Sequence, residues 1–257
     1  MKTAFFSTLK PCILVHMEEI TSLQNKKIKE WTALHHKKDR DKTGLFLIEG
    51  EHLIEEALHA GIVTTIITDT ACPFTFSNVI HTTSAIIKKL SGSVSGSHLV
   101  GVCHQLNLQM HDPERILILD DVQDPGNLGT LIRTAVSFSF DGVVLSKETC
   151  DLYNEKTIRS TQGALFHIPV IRTDISTYIE DIKKQDFKVI ATCLRKSHTF
   201  DEIPVTKKMA FVMGNEGNGV SKEILDLADD HLRIEMHGFE SLNVAVAGGI
   251  VMYMYRK

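Results

Sequence analysis

No stretch of this sequence is apolar for long enough to span a bilayer, so no part of it reads as a transmembrane helix. Its five cysteines, Cys12, Cys72, Cys103, Cys150 and Cys193, are scattered, odd in number and without metal-ligand spacing. That pattern argues against a disulfide framework and suits a reducing intracellular compartment, so the chain is expected in the cytoplasm. Among thirteen histidines only His35 and His36 are adjacent and no H-E-x-x-H occurs, so no metal site is expected. A general excess of positive charge is missing too: the net charge is -4, and any attraction to a polyanion must be local. What remains is ordinary globular composition, 43% hydrophobic and 23% charged over 257 residues, enough for a sizeable core in one large domain or two small ones.

The first sixteen residues, MKTAFFSTLKPCILVH, do not match the rest of the chain. Their apolar run is short, Lys10-Pro11 interrupts it and no small-residue cleavage site appears, so residues 1–16 read as a disordered or variable extension, with Met17 a possible start. Residues 21–42 then turn basic: Lys26, Lys27, Lys29, Lys37, Lys38, Arg40 and Lys42 stand against Glu30, Asp39 and Asp41. A local basic helix in an acidic chain is either an electrostatic footprint for nucleic acid or a solvated helix face. Strands over 46–48, 62–68 and 99–103, with helices over 52–60 and 84–90, predict a small α/β unit spanning 17–106. Residues 107–114 are polar, contain Pro113 and break the pattern, which predicts a linker before a second unit over 115–257.

In that second unit, strands over 116–119, 142–145, 166–171, 188–192, 209–213 and 232–236 alternate with helices. The helices are one from near Asn127, others over 154–160 and 176–185, one of about ten residues from Ser221, and a last one over 244–255. Such alternation implies a mostly parallel sheet covered on both faces, whose ligands sit outside the carboxyl ends of the strands. Those ends hold residues 120–127, 192–195, 214–219 and 236–243, four turns on one edge that make a candidate active site.

The turn at 214–219 reads GNEGNG, a G-x-x-G-x-G order that is neither the dinucleotide fingerprint nor a phosphate loop, and it contains no Lys or Arg. A phosphate-rich cofactor is disfavoured there, while Glu216 at its centre suits a ligand with positive charge or hydroxyls. A glycine-rich turn that merely caps a strand would look the same. The last helix is apolar nearly all round, with a small-residue face from Ala245, Ala247, Gly248 and Gly249, so it must be buried against its own sheet or another subunit. Ser241 is a candidate N-cap for it, whereas Asn243 in its first turn is a poor helix former whose amide needs partners. Further upstream, Asn127 can cap the helix that carries Arg133 about 9 Å along its axis, with Arg133 then a plain surface cation.

Three stretches, DDVQDPGNLGTLIRTA, FVMGNEGNGVS and RIEMHGFESLNVAVA, resemble in order and spacing the three signature motifs of the SpoU (TrmH-like) branch of the SPOUT RNA methyltransferases. The basic helix and FLIEGEHLIEEAL resemble the N-terminal, ribosomal-protein-like substrate-binding domain that many members carry, and NEKTIRSTQGALFHIPV the segment between the first two motifs. The resemblance implies an α/β catalytic domain with a parallel sheet, whose C-terminal segment forms a trefoil knot, a topology no sequence pattern could announce. It implies S-adenosylmethionine as cofactor, the ribose 2′-hydroxyl of ribosomal or transfer RNA as acceptor, with ribosomal RNA favoured, and homodimers whose active sites draw on both subunits.

Position by position, the resemblance makes Asn127, Arg133, Glu216, Ser241 and Asn243 the catalytic set. Thr192, Gly214, Ile234, Met236 and Leu242 are expected to hold the cofactor, and Lys26, Lys29, Lys37, Lys38 and Arg40 to hold RNA. Two residues depart from the family pattern: Glu235 stands where Pro is usual and Ala245 where Ser is common. A non-catalytic RNA-binding protein with a degenerate knot, and a base-methylating enzyme of another SPOUT branch, are the alternatives.

Overall fold

The computed structural model describes residues 18–92, 96–194, 196–237 and 241–257. The expected extension and Met17 lie outside the described residues, as do Arg195 and residues 238–240 of two expected turns. Among the described residues no helix is long and apolar enough to cross a membrane, and no three His, Cys, Asp or Glu side chains are grouped as a metal would need.

Two sheets organise the chain. Strands β1 (Glu18–Ile20), β2 (Leu45–Glu49), β3 (Val63–Thr68), β4 (Val79–Thr82) and β5 (Leu99–His104) form a mixed sheet in the order β1-β4-β3-β5-β2. β1 and β4, three and four residues long, are too short to leave a periodic signal and were not expected. The basic stretch is two helices, α1 (Lys26–Ala33) and α2 (Lys37–Thr43), the second stopped by Gly44 at φ 67°. With α3 (Glu51–His59) and α4 (Ser84–Leu90) they surround the sheet. α1 and α4 cover one face through Ile28, Trp31, Ile86 and Leu90, and α3 covers the other through Leu53, Ile54 and Ala57.

The second sheet holds β6 (Arg115–Leu119), β7 (Gly142–Leu145), β8 (Val170–Arg172), β9 (Lys188–Thr192), β10 (Met209–Met213) and β11 (Asp230–Leu232) in the order β11-β9-β10-β6-β7-β8. Every pairing in it is parallel. β6 and β10 are buried at every residue, as continuous apolar strands covered on both faces must be. Helices α5 (Pro125–Ser137), α6 (Glu155–Thr161), α7 (Ile175–Lys183), α8 (Lys222–Leu227) and α9 (Val244–Met254) complete the unit. α7 and α8 pack on one face through Ile179, Ile182 and Ile224, and α5 and α9 on the other through Leu131, Ala135, Val251 and Met252. α9 comes close to α5 because it carries Gly248, where a Cβ would lie 2.3 Å from Leu131 Cδ2. Three expected elements differ. Residues 164–167 form a 3-10 turn and β8 starts only after Pro169, which has no N–H for a ladder. α8 has six residues because Ala228 turns extended. β11 ends at Leu232, which leaves 233–236 as loop.

The two sheets share one core: Phe46, Ile48, Leu53 and Ile54 of the first unit cluster with Ile158, Leu165 and Phe166 of the second. The Phe46 and Tyr153 rings stand 4.7 Å apart. Ion pairs frame this seam, with Arg159 Nη1 3.1 Å from Glu49 Oε1 and His167 Nε2 2.6 Å from Glu56 Oε2.

Arg40, expected at the RNA surface, belongs to the same seam. Its side chain is 5% exposed, donates to Leu34 O at 2.6 Å and pairs with Asp151 of the second unit. Its guanidinium is therefore not available to RNA; composition marked it as one more surface cation, but a buried cation needs an anion and found one across the seam. Arg40→Met is expected to lower the unfolding free energy by about 3 kcal/mol, the low end for breaking a buried pair because Asp151 keeps some solvent. An unchanged urea midpoint would show that the pair contributes nothing.

Candidate active site

The carboxyl edge of the parallel sheet brings three of the expected polar residues into one chain of hydrogen bonds. Asn243 Nδ2 donates to Asn127 Oδ1 at 3.0 Å, and Asn127 Nδ2 donates to Glu216 Oε1 at 2.9 Å. Glu216 also accepts from the backbone N–H of Gln123 and of Asp124, each at 3.1 Å. Neither asparagine sits where a simple helix reading puts it. Asp124, followed by Pro125, is the N-cap of α5, its Oδ1 accepting from Asn127 N at 2.9 Å. The N-cap of α9 is Asn243 rather than Ser241, with Oδ1 accepting from Ala245 N at 2.9 Å. Asn243 thus uses its oxygen for the helix and its amide N–H for Asn127.

Burial would raise the Glu216 carboxyl, but the hydrogen bonds from Asn127, Gln123 and Asp124 prevail and hold it below the usual glutamate range. The stabilisation from this carboxylate is therefore complete above the ordinary glutamate pKa of about 4.3 and is lost as pH falls through the lowered folded value. Glu216→Gln is expected to flatten that part of the acid limb in thermal melts, below the ordinary glutamate range; an unchanged acid limb would contradict it.

Beside this network lies a cavity of about 400 Å³. Thr192, Gly214, Ile234, Met236 and Leu242, the five residues expected to hold a cofactor, all line it, together with Glu216 and Ser241. Its remaining walls include Cys193, Leu194, Val220, Leu225, Val244 and Ala247, none of them among the residues expected to hold the cofactor. Glu216 and Arg233 are the charged residues among its described lining. The glycine turn is built by backbone: Asn215 N donates to Gly219 O at 3.0 Å and Gly219 N to Asn215 O at 2.9 Å. It is fastened to the network's loop twice, by Asn215 Nδ2 to Asp121 O at 2.9 Å and by Ser221 N to Asp120 Oδ2 at 2.7 Å. Thr192 Oγ1 donates to Val212 O at 3.1 Å, tying two strand ends at the cavity floor.

Arg133 stands apart. Six residues along α5 turn its side chain roughly 240° about the axis from Asn127. It is exposed and makes no ion pair or side-chain hydrogen bond among the described residues. Ser241 is exposed at the cavity rim and has no hydrogen-bond partner among the described residues. Of the expected RNA contacts, Lys26, Lys29, Lys37 and Lys38 are exposed, Lys26 being paired with Glu30 at 3.8 Å and Lys37 with Asp41 at 3.1 Å.

An all-parallel α/β sheet with a polar network and a cavity at its carboxyl edge is the architecture of the SPOUT methyltransferases, and the chain belongs to the SpoU rRNA Methylase family, whose model matches residues 114–253. Residues 25–101 match the MRM3-like substrate binding domain. Over 247 residues the chain is 41% identical to the 23S rRNA (guanosine(2553)-2'-O)-methyltransferase RlmP of Bacillus subtilis, covering 93% of this chain and 100% of that one. The crystal structure of an rRNA methyltransferase from Sinorhizobium meliloti superimposes with a TM-score of 0.84 at 32% identity, over 93% of this chain and 97% of that one. The AdoMet-bound form of that enzyme matches at 31% identity, with the same TM-score of 0.84 and the same coverage.

Proposed function

We propose that this protein transfers a methyl group from S-adenosylmethionine to a ribose 2′-hydroxyl of large-subunit ribosomal RNA. The observation that carries this reading is the chain Asn243, Asn127, Glu216, which ends on the wall of the cavity. The cavity fits the cofactor: apolar walls from Ile234, Leu242 and Val244 suit an adenine ring, and the folded glycine turn presents backbone groups to hydroxyls. Glu216 and Arg233 offer one charge of each sign to a ligand that carries both. The guanosine named for the Bacillus subtilis relative is the first nucleotide to examine.

When bound, the cofactor supplies an electrophilic methyl group for in-line attack by the ribose oxygen. The chain's part is to hold that oxygen in line and steady the charge it gains. Glu216, with three hydrogen bonds already accepted and a lowered pKa, is a poor proton acceptor; it fixes the amide of Asn127, which in turn fixes that of Asn243. Arg133 supplies positive charge near the attacking oxygen and its phosphate, since a guanidinium holds its proton too firmly to make a favourable base.

In this reading the enzyme is a homodimer, with Arg133 of a second copy completing each site. Its support is the exposed apolar face of α9, Val246, Tyr253 and Met254, next to α5. Phe138 on the α5 side meets Tyr253 edge-on at 5.7 Å. The C-terminal segment is read as a trefoil knot, because residues 214–220 line one cavity with Ile234, Met236, Ser241 and Leu242 and α9 returns beneath β10. Residues 17–106 are read as the RNA-docking domain, 107–114 as the linker and 115–257 as the catalytic domain. The experiment is transfer of tritium from labelled S-adenosylmethionine into total RNA of a strain lacking this protein, followed by nucleoside analysis. Label in a 2′-O-methylnucleoside is expected; no transfer, with no cofactor binding by calorimetry, would leave a non-catalytic RNA-binding protein.

A further inference from the structure

The five-stranded sheet separates two helical layers of opposite charge. On one face α1 and α4 pack together over Ile28, Trp31, Ile86 and Leu90, and they carry Lys26, Lys27, Lys29, Lys88 and Lys89 against Glu30 alone. On the other face, the end of β2 and α3 carry Glu49, Glu51, Glu55 and Glu56 and no lysine or arginine. Two of those glutamates are engaged inside the molecule, by Arg159 and His167. On the lysine face Lys26 and Lys27 are paired, with Glu30 and Glu18, but Lys29, Lys88 and Lys89 are exposed and none of the three makes an ion pair among the described residues. Most lysines of the second unit, by contrast, face a carboxylate, as Lys147, Lys183 and Lys207 do. Unneutralised like charges on adjacent helices repel one another, and a polyanion laid across them relieves that repulsion.

This face is also held in register with the catalytic network. Lys89 O lies 3.3 Å from His35 Nε2, and His35 Nδ1 meets the Glu155 carboxylate at the start of α6. The next residue, Lys156, reaches Asp124 at 2.6 Å, and Asp124 caps α5 at Asn127. Four contacts thus run from the end of α4 to the catalytic asparagine.

We propose that α1 and α4, with Lys29, Lys88 and Lys89, form a phosphate-binding face for the RNA substrate away from its methylated nucleotide. The proposal rests on the methyltransferase reading for its choice of polyanion. Lys88 and Lys89 lie outside the N-terminal basic stretch, and only the packing of α4 against α1 joins them to it.

The test is equilibrium binding of an unmodified large-subunit ribosomal RNA transcript at several salt concentrations by wild type and Lys88→Gln/Lys89→Gln. Two lost phosphate contacts are expected to reduce the slope of log K against log salt by about 1.5 and to raise Kd about tenfold near 0.1 M salt. S-adenosylmethionine affinity, read by calorimetry, is expected to stay at the wild-type value. Glu51→Gln/Glu55→Gln, on the opposite face, is expected to bind at least as tightly as wild type. An unchanged slope and Kd in the folded double variant would overturn the proposal. If that variant does not fold, Lys29→Gln on α1 tests the same face and is expected to lower the slope by about 0.8. Wild type that binds with the expected salt dependence yet transfers no methyl group would sink the methyltransferase reading and leave this face standing.

Discussion

Gly214→Ala is expected to weaken S-adenosylmethionine binding about 100-fold or more, read by calorimetry, and to remove methyl transfer with it. A Cβ at this position would lie 2.1 Å from both Gly219 C and Val220 N. Those atoms are backbone, and they belong to a turn closed by the reciprocal Asn215 and Gly219 hydrogen bonds. No side chain is there to swing aside, so the turn must open or the strand must shift, and either change moves the cavity wall. Overpacking of this kind costs about 1–3 kcal/mol in an ordinary core and more where only backbone can give. Gly217→Ala is the matched control, because a Cβ there meets nothing nearer than Asn215 Oδ1 at 3.5 Å. Wild-type affinity in the Gly214 variant would mean that the turn is looser than its hydrogen bonds imply and that the cofactor does not depend on its shape.

The second large effect is expected at Asn127. Asp is nearly its isostere, but it replaces the amide donor with an oxygen 2.9 Å from the Glu216 carboxylate and sets two anions face to face. Asn127→Asp is therefore expected to lower kcat by about 10³-fold with cofactor affinity little changed, and Asn127→Ala by about 10²-fold. Because Asp124 rather than Asn127 caps α5, the alanine variant should keep most of its stability, which separates a lost active-site contact from a lost helix end. The pair Asn127→Ala and Asn243→Ala should be far from additive, since each removes the other's partner. Wild-type kcat in either Asn127 variant would exclude the hydrogen-bonded chain from the chemistry.

The buried strands of the second sheet were legible because residues 116–119 and 209–213 are apolar runs of four and five bounded by turn residues, too short for a helix and of the form a covered strand takes. The polar residues that the structure gathers at the sheet's carboxyl edge were singled out for a different reason, the resemblance of three ordered motifs. Their connection was not: Asn243 reaches Asn127 over a separation of 116 residues and Asn127 reaches Glu216 over 89, and no local pattern records such distances. The expected strand at 232–236 failed instructively. Leu232, Ile234 and Met236 alternate with Arg233 and Glu235 as a half-buried strand would, yet Ile234 and Met236 turn to the cavity wall and the ladder ends at Leu232. Arg40 failed through its partner, since its composition is that of the exposed lysines around it and Asp151 lies 111 residues away. The rotation of Arg133 away from Asn127 follows from helix geometry alone and could have been read from the spacing.

The core shared by the two sheets, Phe46 and Ile54 on one side and Ile158 and Phe166 on the other, makes the molecule a fixed gauge. A protein whose docking and reacting parts were joined by a slack tether could sample many nucleotides around one anchoring point. Here packed side chains set the span between the two, so on the proposed reading the nucleotide chosen is the one that lies at that span along the folded RNA. Retargeting such an enzyme means recutting the seam rather than lengthening a linker.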